Sequence, residues 1–130
     1  MKTIKETLVY HLKRSKASYD ELLKSYSFKK GDMAHSISWA HKTVQNEFII
    51  EMLTEIIREV NTKRKESDRE RIIQYFLNYH LDGLTSNRYD YNYSDSLYHN
   101  AVRKSQLDAV RYVVRRLDSI IEDIKEKKGK

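Results

Sequence analysis

Between Asp32 and Asn61 apolar residues return every three or four positions, and neither Gly nor Pro interrupts them. That period belongs to an α-helix, which at 1.5 Å per residue would run roughly 45 Å. Asp32 is a suitable N-cap, because its carboxylate can accept from the free N–H groups of the first turn. The apolar seam changes side along the way. Met33, Ile37, Ala40, Val44 and Phe48 form one stripe, and Ile49, Met52, Leu53, Ile56, Ile57 and Val60 a second. At about 100° per residue the two lie roughly half a turn apart. The first half is therefore expected to pack on one side and the second half on the other. A kink at 45–47 would have the same effect, but without Pro or Gly an unbroken helix is the preferred reading.

Three further helix starts carry S/T-x-x-E boxes: Thr3 with Glu6, Ser18 with Glu21, and Ser67 with Glu70. In such a box the hydroxyl and the glutamate satisfy free backbone donors reciprocally. With the apolar runs that follow, they predict helices over 4–15, 19–26 and 68–81. The first buries Ile4, Leu8 and Leu12, and the second Leu22, Leu23 and Tyr26. The third is apolar nearly all round (Ile72, Ile73, Tyr75, Phe76, Leu77, Tyr79 and Leu81), and Gly83 is placed to end it. Such a helix is either central in the core or covered in part by another chain. A last helix is expected over 95–126, with Val102, Ala109, Val110, Val113, Leu117, Ile120, Ile121 and Ile124 as its core stripe. Residues 125–130 read as a frayed basic tail. The expectation is an all-α single-domain bundle of five helices, the two long ones antiparallel and the short ones covering them.

Composition narrows this picture. The 130 residues include no Pro, no Cys and three Gly. Disulfides and Cys-based zinc sites are excluded, and the chain suits a reducing cytoplasm. No apolar run exceeds three residues, so neither a signal peptide nor a membrane span is expected. Apolar residues make up 39% and ten are Tyr, which leaves a thin core that a partner or self-association could complete. The net charge of +6 permits nucleic acid or an acidic protein as partner. Residues 1–31 hold eight Lys/Arg against three Asp/Glu, and so carry most of that charge.

The basic candidates are Lys13, Arg14, Lys16, Lys24, Lys29 and Lys30 in the first part, with Lys104, Arg111, Arg115 and Arg116 on the last helix. On one surface they would track phosphates; spread out, they are solubilising charge. Residues 84–93 read as a Tyr-rich loop in which Tyr89, Tyr91 and Tyr93 alternate beside Arg88. Together with Tyr98, such a set can stack bases or anchor a protein interface. Alternatively the rings lie over the long helices as core cover. The segment from Asp20 into the long helix could be a helix-turn-helix, with His35, Ser36, Ser38, His41, Lys42 and Gln45 offering base-edge contacts. Its turn, however, is longer than that motif uses.

Glu47, Glu51, Glu55 and Glu59 form a row at i, i+4 spacing. Like charges at that spacing repel, so the row wants a basic neighbour; its default reading is a solvated face. A di-metal bundle needs Glu-x-x-His, which does not occur here. His11, His35, His41, His80 and His99 show no His-x3-His pair. No nucleophile, base and orienter are marked, and no Gly-rich phosphate loop occurs. No catalytic residue, metal or cofactor is therefore assigned.

The leading expectation is a small non-enzymatic helical binding protein that engages nucleic acid or a nucleoprotein complex through basic and Tyr/Arg surfaces. The alternative is a protein–protein interaction module, such as a phage-type inhibitor or adaptor of a host enzyme (anti-CRISPR or anti-restriction, for example). A third is a structural homo-oligomer, a homodimer in its simplest form.

Overall fold

The computed structural model describes residues 2–25, 33–85 and 97–129. Among the described residues four helices make up the bundle: α1 (Ile4–Ser25), α2 (Met33–Asn61), α3 (Glu66–Thr85) and α4 (Leu97–Lys128). No strand occurs among the described residues.

The count is four and not five because the two predicted helices 4–15 and 19–26 are one. Thr3 does cap α1: its Oγ1 accepts from the Glu6 N–H at 3.2 Å and donates to Glu6 Oε1 at 3.1 Å. The second box, Ser18 with Glu21, lies inside the helix. Ile4, Leu8, Leu12, Ser15, Tyr19 and Leu22 follow one another by three or four residues, so a single buried stripe runs through the supposed break. With no Gly or Pro between, a local capping preference cannot outweigh that packing.

α3 also exceeds its expected limits. It starts at Glu66, where the Lys65 carbonyl accepts from the N–H groups of Asp68 and Arg69, both at 3.1 Å. The Ser67 box does not form; Glu70 instead grips Lys128 Nζ at 3.0 and 3.1 Å. Gly83 sits buried inside the last turn, not beyond it. α4 reaches Lys128, so residues 125–128 of the expected loose tail are helical.

Contacts along the helices set their directions. Tyr19 OH donates to Glu47 at 2.9 Å and Trp39 Nε1 to the Leu22 carbonyl at 2.7 Å, so α1 and α2 run antiparallel. After the short turn 62–65, α3 returns along α2. Its start meets the end of α4 through Glu70 and Lys128, and its end, at His80, shares a groove with Gln106 and Val110 of α4. The order is up-down-up-down. The two long helices α2 and α4 are consequently parallel, contrary to the expected antiparallel pair. A full-length α3 between them carries the chain back to the starting end.

α2 packs most closely against α1 and α4, and least closely against α3. The core joins Ile4 and Leu8 of α1 with Ile49, Leu53, Ile56 and Val60 of α2. Ile73, Phe76 and Leu77 of α3 join it, with Ala109, Val113, Leu117, Ile120 and Ile121 of α4. The second apolar stripe of α2 is thus core, as its spacing implies. The first is not: Ile37 is 62% exposed and Ala40 is exposed, while Val44 and Phe48 are half-buried. In that half, polar residues turn inward. Thr43 is buried and bonds the Trp39 carbonyl, Trp39 reaches Leu22, and His41 reaches α4. Each inward donor finds an acceptor, which removes the penalty for burying it.

Candidate functional site

The loose packing of α3 on α2 opens a groove of about 890 Å³. Phe48 and Met52 of α2, Ile72 and Phe76 of α3, and Val110 of α4 form its apolar lining. Tyr75 and Tyr79 stand above them, 63% and 41% exposed. Their rings stack at 6.3 Å, Phe76 meets the edge of Tyr75 at 5.4 Å, and Phe76 stacks on His80 at 6.4 Å. Four aromatic side chains thus occupy one face of α3, at the i, i+1, i+4, i+5 spacing that a helix brings together.

The opposite wall is acidic. Glu51, Glu55 and Glu59 line the groove, with Asp68 at the α3 start. All three glutamates are exposed, and no cation among the described residues pairs with them. Glu47 departs from the row, because it holds Tyr19 of α1. Lys63 and Arg71 stand at the turn end, and Arg71 lies 4.0 Å from Asp68. The wall therefore presents three carboxylates without a direct ion pair beside an aromatic floor.

A second cleft, about 530 Å³, lies where α1, α2 and α4 meet. Arg14, Lys42 and Arg116 converge there from three different helices. Close by, His11 titrates below the ordinary imidazole range. Burial is the main cause, and the Arg116, Arg14 and Lys2 charges add to it.

A third constellation has the residue types of a hydrolase triad. Ser105 Oγ lies 2.8 Å from His41 Nδ1, and His41 Nε2 lies 3.2 Å from Asp108 Oδ2. Arg111 in turn sits 3.5 Å from the other Asp108 oxygen. Ser105 is only 2% exposed, however, and its hydroxyl also bonds the Ala101 carbonyl of its own helix at 3.0 Å. The surrounding N–H groups belong to the interior of α4, where helical bonding leaves none free to stabilise an oxyanion. The network ties the first half of α2 to α4. Among the described residues no group of His, Asp and Glu could hold a metal ion.

No family model, curated protein or solved structure matches the chain.

Of the basic residues singled out in the sequence, Lys13, Lys16 and Lys24 are exposed on α1, and Lys104, Arg111 and Arg115 on α4. Arg14 joins the three-helix cleft, and Arg111 is engaged with Asp108. Lys29, Lys30, Arg88, Tyr89, Tyr91 and Tyr93 lie outside the described residues, as does the rest of the Tyr loop beyond Thr85. The helix-turn-helix reading fails. The supposed short first helix is the end of the 22-residue α1, which runs antiparallel to α2. His41 is bound to α4, and Lys42 and Gln45 line the cleft shared with α1 and α4.

The groove residues of α3 were missed as a site. Their signal was present in a helix apolar nearly all round, more than one core can cover. The glutamate row was visible too, but nothing in the sequence places it opposite Tyr75 and Tyr79.

Proposed function

We propose that this chain is a non-enzymatic binding protein whose α2–α3 groove receives a basic amphipathic helix of a partner protein. The observation that carries this reading is the acidic wall of Glu51, Glu55 and Glu59 facing exposed Tyr75 and Tyr79 across an apolar floor. An amphipathic helix laid in a groove buries its apolar face and presents flanking charges to the walls. From Glu51 to Glu59 the wall spans roughly 12 Å at 1.5 Å per residue, about two turns of a facing helix. Exposed Tyr rings are common anchors of protein interfaces.

Nucleic acid fits this groove poorly, because the carboxylates would repel its phosphates. The exposed cations of α1 and α4 still support a weaker, non-specific contact with nucleic acid elsewhere on the surface.

The test uses a fluorescein-labelled amphipathic Lys/Leu helical peptide and its Glu/Leu counterpart. The Lys/Leu peptide should bind at least tenfold more tightly. The Glu51→Lys/Glu55→Lys variant, altered only at exposed positions, should lose that preference at unchanged melting temperature. Equal binding of both peptides, or binding untouched by the variant, would overturn the proposal. So would a homodimer that the variant dissolves, since a second copy would then fill the groove. Binding to a generic duplex with a steep salt slope, lost on charge reversal at Lys13 and Arg14 or at Arg111 and Arg115, would transfer the main function to nucleic acid.

A further inference from the structure

We infer that the cleft between α1, α2 and α4 is a binding site for a phosphate group. Arg116 is its centre. The guanidinium lies 4.7 Å over the ring of Tyr112, which holds its plane in place. Its Nε is buried and has no hydrogen-bond partner, and no carboxylate among the described residues pairs with the side chain. A buried donor on a charged group is costly to leave unsatisfied, and an unfilled one calls for an acceptor. Arg14 from α1 and Lys42 from α2 line the same cleft, with the hydroxyl of Ser18 and the amide of Asn46 beside them.

The charge balance selects the ligand. Three cations meet there and, among the described residues, Glu21 is the one carboxylate on the lining. Arg14 spends one donor on Tyr10 OH, at 3.4 Å, and keeps the others. Two guanidinium forks and an ammonium suit the several oxygens and double charge of a phosphate better than a single carboxylate. The volume, about 530 Å³, falls within the range of small-molecule sites, so the group can belong to a larger phosphate ester. This inference rests on three helices that meet away from the acidic groove, and it stands or falls without it.

His11 supplies the readout. Arg116 of α4, Arg14 of its own helix and Lys2 just before that helix are the charges that act on it, and the Tyr10 ring meets its edge at 5.4 Å. A phosphate bound between the arginines offsets their charge and raises the His11 pKa. The experiment follows the His11 ring signals by NMR in the full chain, with sodium phosphate exchanged for sodium chloride at constant ionic strength. The expected result is a saturable upward shift of the His11 pKa at millimolar phosphate. Arg14→Gln and Lys42→Gln, both at exposed positions, should each weaken it at least fivefold without changing the melting temperature. Arg116→Gln should abolish it. A response no larger than chloride gives, or one untouched by these variants, overturns the site.

Two competitors identify the source of the phosphate. Displacement by single-stranded oligothymidylate supports the site as a seat for nucleic-acid backbone. Displacement by adenosine monophosphate alone supports it as a seat for a free phosphate ester. Inorganic phosphate binding that neither competitor displaces marks an adventitious ion only, and refutes the proposal.

Discussion

Ile37 and Leu53 look alike in the hydrophobic pattern of α2, and the structure sets them far apart. Leu53 is fully buried, and Ile37 is 62% exposed. Truncation to Ala should separate them. For Leu53 the removed atoms lose their transfer free energy and leave a cavity among Ile49, Ile56 and the α4 stripe, a cost of about 3–5 kcal/mol. For Ile37 three carbons are lost from a side chain only about two-fifths buried. At about 0.8 kcal/mol per fully buried CH₂ this costs about 0.9 kcal/mol. Ala is the better helix former by roughly 0.4 kcal/mol, which offsets part of it. The net loss for Ile37→Ala should be about 0.5 kcal/mol. Urea denaturation followed by far-UV circular dichroism measures both. With a slope of about 1.5 kcal/mol per molar, Leu53→Ala should move the midpoint by about 2 M or more, and Ile37→Ala by about 0.3 M. Equal shifts would refute the inward turn of Trp39, His41 and Thr43, and with it the position of the acidic wall.

Two further expectations follow from polar contacts. Ser105→Ala removes the hydroxyl held 2.8 Å from His41 Nδ1 and should cost about 1 kcal/mol, part of it regained through Ala helix propensity; a loss of activity toward simple esters without a loss of stability would instead make Ser105 a nucleophile. His11 carries a folded pKa below its unfolded value. Its neutral form is thus favoured by folding: its stabilising effect is complete above pH 6.5 and is lost as the pH falls from there through the lowered folded value. Against His11→Gln, the wild-type urea midpoint should fall more steeply between pH 7.5 and 5.5, and parallel curves would contradict the assigned surroundings of the ring.

Much of the architecture was legible in the chain. The 3.6-residue recurrence of Leu53, Ile56 and Val60, or of Val113, Leu117 and Ile120, admits little but helix, and the absence of Pro leaves α2 and α4 unbroken. Capping signals proved less decisive. Thr3 caps because Lys2 before it is not helical, whereas Ser18 also has a glutamate three residues on but is an exposed position within a helix whose buried stripe runs past it unbroken. The first stripe of α2 misled for a related reason. An apolar spacing says that a face can be buried, and tertiary partners decide whether it is. There, Trp39 with Leu22 and His41 with Ser105 supplied bonds that the chain alone does not reveal. The sites were harder still. Arg14 and Arg116 stand far apart in sequence and meet only because α1 runs antiparallel to α4. Glu55 faces Tyr75 only because α3 returns along α2.

The polar inward residues of α2 have a consequence for motion. Thr43, Trp39, His41, His80 and Ser105 gather toward one end of the bundle, and Ile4, Val60, Ile120 and Ile121 toward the other. Apolar burial sets most of the free energy of local opening. Amide hydrogen exchange should therefore be graded along the axis, slowest near Val60 and Ile120 and faster near Trp39, as the helices splay at the polar end before the whole molecule unfolds.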